Sequence, residues 1–419
     1  MAGVLIQASS TLRQVAAART PFLLTPEQSS QEWRALNRGS QGSAAERQQK
    51  FSLSSDDSVW RMAMRIAQIA PLHESVPPKL YGGTERVVSW LTEELVRRGH
   101  EVTLFASGDS QTQARLIPFR ERALRLDPTA IDTVAPHVLM VEKAFQMADE
   151  FDIIHGHIDY YPYALARRHP QVSFLATLHG RLDIPELQPL YTEFQDIPVV
   201  SISNAQRLPL PQARWVGTVY HGLPLDLHRF YPEKGDYLAF LGRVSPEKGL
   251  DTAIEIAARA GMPLKAAIKI DAVDRQYYEL EIKPLASRHP NVEIIGEITD
   301  QEKSEFLGKA YAVLFPIRWP EPFGLVMIEA MACGTPVIAT RFGSVPEVMA
   351  DRRSGFIVDS VEEAVEAVEK VGSLSRAGVR QVFEERFSVE RMVSDYEALY
   401  RQLVNERQEM SRRRQLNKA

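Results

Sequence analysis

The chain has 419 residues, 44% of them hydrophobic and 25% charged, a balance that supports two or three globular domains with separate cores. A formal net charge of −5 gives no electrostatic reason to expect nucleic acid as a partner, and a single cysteine, Cys333, excludes an internal disulfide framework and fits a reducing compartment. No apolar run reaches the roughly 18 residues that span a bilayer, so a cytoplasmic protein with at most peripheral membrane contact is expected.

Residues 1–63 are rich in Ser, Gln, Ala and Arg and lack a sustained apolar period, which reads as a disordered N-terminal extension. Arg13 and Arg19 with no early acid would suit an organelle-targeting segment. The plainer reading is an upstream extension before a fold that starts at Met64. From there short apolar runs alternate with amphipathic segments, the pattern of a parallel sheet with crossover helices.

Strands are expected at Arg65–Ala70, Glu101–Ala106, Asp152–His155, Ser173–Leu178 and Val199–Ile202. After the first strand comes Tyr81-Gly82-Gly83-Thr84-Glu85. The two glycines let the backbone approach a ligand, and a helix beginning there, with Thr84 as its N-cap, favours a phosphate. The spacing is not that of a dinucleotide fingerprint, and a Gly-Gly turn is often purely structural. His155 and His157, with Asp152 and Asp159, raise a metal site as one reading, but no third ligand is evident. His179, just past a strand end, stands where a polar side chain meets substrate, although a lone histidine is more often structural.

An irregular stretch around Leu223–Gly235 links this first unit, residues 64–230, to a second, 231–403. Strands are expected there at Tyr237–Leu241, Leu264–Ile270, Val292–Ile295, Ala312–Pro316 and Pro336–Thr340. After the first of these, Arg243 and Lys248 flank Ser245-Pro246, which predicts a helix capped by Ser245 and starting at Pro246. Two cations beside a helix start could clamp a diphosphate, against the plainer reading of solvated surface charges. Further on, Glu321 lies in a Pro-rich turn and Glu329 on an apolar helix that ends at Gly334. Carboxylates accept hydrogen bonds from vicinal hydroxyls, so a sugar and a ribose are natural partners, and an unpaired Glu329 would be costly to bury. One or two helices are expected over Arg376–Leu403, then a basic, frayed tail over 404–419.

The expected architecture is therefore two doubly wound, Rossmann-like α/β domains facing a central cleft, with ligands at the carboxyl ends of the strands. Taken in order, Gly82-Gly83, His179, Gly242-Arg243…Glu247-Lys248-Gly249 and Glu321-Pro-Phe-Gly…Glu329-Ala resemble glycosyltransferase family 4, retaining enzymes of the GT-B fold. Ser75-Val76-Pro77-Pro78…Tyr81-Gly82-Gly83 is similar to the avilamycin-type subgroup. The resemblance covers roughly Met64 to Leu403.

It implies transfer of a sugar from a UDP-, GDP- or ADP-linked donor to a hydroxyl acceptor (a glycan, a lipid-linked sugar or a small metabolite), with retention and without a metal or other cofactor. Gly82 and Gly83 would approach the donor through their backbone, Arg243 and Lys248 would hold its diphosphate, and Glu329 its ribose. Glu321 would hold the donor sugar, with Phe323, Gly324 and Leu325 offering backbone groups. His179 would contact the sugar and, with Glu321, Arg243 and Lys248, support catalysis. The final helices would pack back on the first domain. Lys269-Ile270-Asp271-Ala272-Val273-Asp274 departs from the family's Gly-rich turn and leaves base recognition open, with Lys269 a further donor contact. The alternatives are a sugar phosphorylase or nucleotide-sugar epimerase on the same fold, or a non-catalytic sugar-nucleotide-binding protein.

Overall fold

The computed structural model describes residues 63–79 and 82–417. The expected N-terminal extension and Tyr81 of the glycine motif lie outside the described residues. Within them, two parallel sheets carry the fold.

The first sheet has seven strands: β1 (Arg65–Ile69), β2 (Glu101–Ala106), β3 (Arg115–Pro118), β4 (Ile153–Gly156), β5 (Ser173–Thr177), β6 (Pro198–Ser201) and β7 (Arg214–Thr218). They lie in the order β3-β2-β1-β4-β5-β6-β7. The second has β8 (Tyr237–Arg243), β9 (Leu264–Lys269), β10 (Val292–Gly296), β11 (Ala310–Phe315), β12 (Val337–Thr340) and β13 (Gly355–Val358), in the order β10-β9-β8-β11-β12-β13. Every pairing is parallel, Ile66 standing opposite both Val102 and Ile153. Central strands buried on both faces need apolar residues at successive positions, and Ile66, Ala67 and Ile69 have no exposed surface. Gln68 breaks that run and is also fully buried, a polar side chain that must find partners inside. The strand order reverses between β1 and β4 and again between β8 and β11, and the crevices outside these points face one another.

Six helices position the site: α1 (Gly83–Arg97), α2 (Leu250–Ala260), α3 (Asp300–Gly308), α4 (Leu325–Ala332), α5 (Arg376–Arg386) and α6 (Val389–Leu416). α1 buries Val87, Val88, Leu91 and Leu95 on one face, as its periodicity requires. Its cap is Gly82 rather than Thr84, which lies inside the first turn.

The helix expected from Ser245-Pro246 is a single 3-10 turn, Pro246–Lys248. Gly249, at φ 73°, ends it, and α2 starts only at Leu250. A side chain at Gly249 would bring its Cβ within 2.1 Å of the Pro316 carbonyl oxygen, so the strand end and the turn touch through backbone alone. α6 is likewise longer than expected: it runs to Leu416, so residues 404–416 are helix and not a frayed tail. Charged residues with good helix propensity extend it, and Arg413 and Arg414 in its last turn complement the helix dipole.

The two domains exchange chain at one crossing. Leu223 N–H donates to the Phe387 carbonyl at 2.8 Å, and Val389 N–H donates to the Leu223 carbonyl at 2.9 Å. A Cβ on the neighbouring Gly222 would sit 2.2 Å from the Ser388 carbonyl oxygen, so only glycine allows the two segments to meet. Beyond the crossing α6 lies against the first domain. Its Glu397 accepts from His100 Nε2 at 2.8 Å and from Arg98 at 3.2 Å, while the Leu403 carbonyl accepts from Ser173 Oγ.

Arg376 is the main polar tie inside the second domain. It is 5% exposed, has no carboxylate partner among the described residues, and donates to the carbonyls of Tyr231 (2.7 Å), Ala310 (3.0 Å) and Gly308 (2.7 Å). Arg376→Met should leave these buried acceptors unpaired and lower the unfolding free energy by about 3 kcal/mol. Urea denaturation checks this, and a loss below about 0.5 kcal/mol would show that the network does not stabilise the domain.

Candidate functional site

A cavity of about 570 Å³ lies between the strand ends of the two sheets. Gly82, Gly83 and His179 reach it from the first domain, and Arg243, Lys248, Glu321, Phe323, Gly324, Leu325 and Glu329 from the second. Residues up to 247 positions apart in the chain thus share one wall system, because both switch points open onto it.

α1 directs its N-terminus at the cavity, with the Gly82 carbonyl accepting from Arg86 N–H at 3.2 Å. The free N–H groups of such an end favour an anion. The two glycines are not equivalent. A Cβ on Gly82 would strike the Pro78 ring at 2.8 Å, a packing reason for glycine. A Cβ on Gly83 would meet only Leu325 Cδ1, at 3.7 Å across the cleft. Gly83 therefore keeps cavity space clear rather than relieving a clash.

On the opposite wall, Arg243 ends β8 and Lys248 ends the 3-10 turn after it. Neither is a bare cation. Arg243 meets Glu247 at 2.7 Å, Asp274 at 3.4 Å and Asp271 at 3.8 Å. Lys248 pairs with Glu321, whose Oε2 also accepts from the Trp319 indole at 2.9 Å. The Lys248 ammonium stands 5.0 Å from the centre of the Trp319 ring. Lys269 pairs with Asp271 at 3.3 Å and also lines the cavity.

Gly324, at φ 80°, turns the chain from the Pro-rich loop into α4. Glu329, one turn along and 2% exposed, receives Lys303 Nζ at 2.8 Å from α3. Burial opposes its ionisation, but Lys303, His228 and Arg86 outweigh burial and hold its carboxyl below the usual range. From α1, Arg86 crosses the cleft to pair with Asp300 at the start of α3.

His179 is held from within the first domain. Its Nε2 lies 2.9 Å from His157 Nδ1, and its ring stacks on His221 at 5.4 Å and 14°. His221 in turn sets its edge on Phe323 of the second domain, 4.8 Å between centroids. Burial lowers the His179 pKa to about 3, so the imidazole is neutral at physiological pH and offers hydrogen bonds rather than charge.

The histidine pair considered for a metal is otherwise engaged: His155 lies within hydrogen-bond distance of Tyr400 and Thr177, and His157 of Gln68 and His179. Among the described residues no group of three His, Cys, Asp or Glu side chains is arranged to hold a metal ion. The sequence reading also missed contributors. Lys303, Arg86 and Trp319 carry no motif of their own, and their roles follow only from the carboxylates they meet. Glu85 and Asp159 add two carboxylates to the first-domain wall. Asp159 holds a φ of 50°, uncommon for a residue with a side chain.

His155, His157, His221 and His228 are all buried, and burial pushes each imidazole below its ordinary value, His228 to about 4. With the folded pKa below the unfolded one, the unfolded chain binds protons first. Stability is then complete above about pH 6.5 and falls as pH drops toward 4. The expected loss is about 1.4 kcal/mol per pH unit for each histidine held neutral. Urea unfolding at pH 7 and pH 5 checks it, and equal stability at both would contradict the burial of these rings.

Two family models match in tandem: "Glycosyltransferase Family 4" over residues 81–240 and "Glycosyl transferases group 1" over residues 229–385. An uncharacterised glycosyltransferase of Methanocaldococcus jannaschii is 28% identical over 44% of this chain and 53% of its own length. N-acetyl-alpha-D-glucosaminyl L-malate synthase of Bacillus anthracis is 25% identical over 76% of this chain and 93% of its own. Among solved structures, AviGT4, a glycosyltransferase involved in avilamycin A biosynthesis, has a TM-score of 0.63 at 24% identity, covering 82% of this chain and 98% of its own. HepE of Anabaena, solved with UDP and glucose, has a TM-score of 0.64 at 18% identity, covering 80% and 99%. These likenesses in shape, with the two parallel sheets, give the GT-B fold.

Proposed function

We propose that this glycosyltransferase, a family 4 domain followed by a group 1 domain, transfers a sugar with retention from a nucleotide-sugar donor to a hydroxyl acceptor. The observation that carries the reading is the placing of Arg243 and Lys248 at the second sheet's strand ends, opposite the N-terminus of α1 at Gly83. A diphosphate between them meets two side-chain cations and a helix end, so the reading needs no divalent ion. HepE, of the same fold, is a structure with UDP and glucose, which supports a nucleotide sugar as the ligand.

In this reading Glu329, ionised and already oriented by Lys303, takes the ribose hydroxyls. Glu321, oriented by Lys248 and Trp319, takes hydroxyls of the donor sugar, and Phe323, Gly324 and Leu325 offer backbone groups at the α4 start. As the sugar–phosphate bond breaks, negative charge grows on the leaving diphosphate beside Arg243, Lys248 and the helix end, which stabilise it. Glu321 is already bound to a cation and an indole N–H, which makes it a poor covalent nucleophile. That favours attack by the acceptor on the donor's own face, its proton passing to the leaving phosphate. The phosphorylase, epimerase and non-catalytic readings use the same cleft but have no separate observation in their favour.

Thermal denaturation with UDP-, GDP- and ADP-glucose tests the donor. A ligand at 100 times its dissociation constant should add about 2.7 kcal/mol, and no response to any of the three would count against the reading. Glu329→Ala should abolish the response while leaving a folded protein.

Gly83→Ala is a sharper test, because the free structure accommodates the methyl group. Its melting temperature should stay within about 2 °C of wild type, while donor-dependent stabilisation is lost. Retained stabilisation would mean that the donor does not pass Gly83.

A further inference from the structure

Apart from the α1 start and His179, the groups proposed to hold the donor come from the second domain, which leaves the rest of the first-domain wall for the acceptor. That wall is built at the first sheet's switch point. β1 leads into His73, and β4 leads through His157 into Asp159, Tyr160 and Tyr161, all of which line the cavity.

Tyr160 and Tyr161 are 39% and 38% exposed. Single exposed apolar side chains are ordinary on a protein surface, but here two neighbouring rings are left uncovered within a cavity. They meet edge to face, 5.6 Å between centroids at 84°. Tyr161 also lies against His137 at 5.8 Å, and His137 against His73 at 5.0 Å. The backbone fixes the His137 ring: its Nε2 accepts the Leu72 N–H at 2.9 Å, and its Nδ1 donates to the Thr133 carbonyl at 2.6 Å. With both nitrogens engaged in this way the imidazole is neutral, and Tyr161 has a rigid neighbour.

The charges on this wall do not cancel. Arg125 reaches the cavity but is paired with Glu74 at 3.2 Å, and Arg86 is turned across the cleft to Asp300. His73 and His137 add no positive charge, because burial lowers both imidazoles, His73 to about 4. Glu85 and Asp159 also line the cavity, and neither is in an ion pair among the described residues. Each guanidinium is thus answered by an acid, and two acids remain. Aromatic rings take up the apolar C–H face of a pyranose, and carboxylates accept hydrogen bonds from its hydroxyls. A phosphate or carboxylate on the same ring would meet like charge instead.

We propose that this wall is an acceptor subsite for an uncharged sugar ring, seated on Tyr160 and Tyr161 and hydrogen-bonded by Glu85 and Asp159, and that it turns away sugars carrying a phosphate or carboxylate. The proposal deepens the glycosyl-transfer reading and rests on it for the role of acceptor. The seating of a neutral sugar is a property of the wall itself.

Saturation-transfer NMR on the full chain measures this, because a protein ring in contact with a sugar passes magnetisation to the sugar's C–H protons. The probes are the methyl glycosides of glucose, galactose, mannose and N-acetylglucosamine, with glucose 6-phosphate as the charged counterpart. At least one neutral glycoside should bind, with a dissociation constant that high salt leaves unchanged. Tyr160→Ala and Tyr161→Ala should each weaken that binding about fivefold. Both side chains are exposed, so the variants should fold. Glu85→Gln should narrow the lead of the neutral glycoside over glucose 6-phosphate.

No binding by any neutral glycoside, or equal binding in wild type and both tyrosine variants, would overturn the proposal. So would glucose 6-phosphate that binds as tightly as the neutral glycosides and is weakened by the same two substitutions. A phosphate seated against Arg243 and Lys248 would be indifferent to them. A protein that binds a neutral glycoside at the tyrosines but responds to no nucleotide sugar would count against the transfer reading and leave the wall's preference standing.

Discussion

The contact between Leu223 and the segment Phe387–Val389 is the constraint from which the rest of the molecule follows. There the chain leaves the first domain and, some 165 residues later, comes back, and the two passages are hydrogen-bonded to each other. Because Gly222 lets backbone meet backbone, the passages form one joint rather than two loose tethers. The joint sets the direction in which α6 departs, and α6 then closes one side of the first sheet with Tyr396, Glu397 and Tyr400. The domain boundary is therefore not a cut in the sequence: the last helix belongs by chain to the second domain and by packing to the first.

Much of the architecture could be read from residue patterns, and what escaped did so for physical reasons. Strands buried on both faces, such as Ile66–Ile69 or Ala310–Phe315, announce themselves as apolar runs. β3 and β7 do not: Arg115–Pro118 and Arg214–Thr218 are sheet-edge segments with exposed or half-exposed residues throughout, so burial imposed no pattern on them. The end of α6 escaped because propensity sustains it beyond the last core contact, at Val404, and a polar helix in solvent resembles a tail. Ser245-Pro246 suggested an α-helix because the local signals were sound, but the close approach of Pro316 to Gly249 is a tertiary fact that no local signal carries.

The cleft divides the same way. Glu321, Glu329, Arg243, Lys248, His179 and the glycine pair stood out in short motifs, and all of them line one cavity. Their partners did not. Lys303 is an ordinary residue on a polar helix until Glu329 is seen 2.8 Å away, and Gln68 looks like a flaw in a strand until the imidazole chain on one side and Tyr400 on the other are in view. Residues proposed to touch the donor would keep a recognisable spacing because a ligand has fixed dimensions. Residues that hold those residues in place can come from anywhere the fold passes.

The carboxylates around the cleft's cations have a further consequence for what the protein ignores. Arg86, Arg243, Lys248 and Lys303 each already have an acidic neighbour. The wall is thus close to electrically balanced before any ligand arrives. Free phosphate or another small polyanion would have to displace those acids with nothing to offer them in return. The proposed nucleotide sugar has hydroxyls as well as phosphates, so the acids it would separate from their cations would find new hydrogen bonds on the same molecule. On the proposed reading, such a site would answer to charge and hydroxyls together, and far less to anions that carry charge alone.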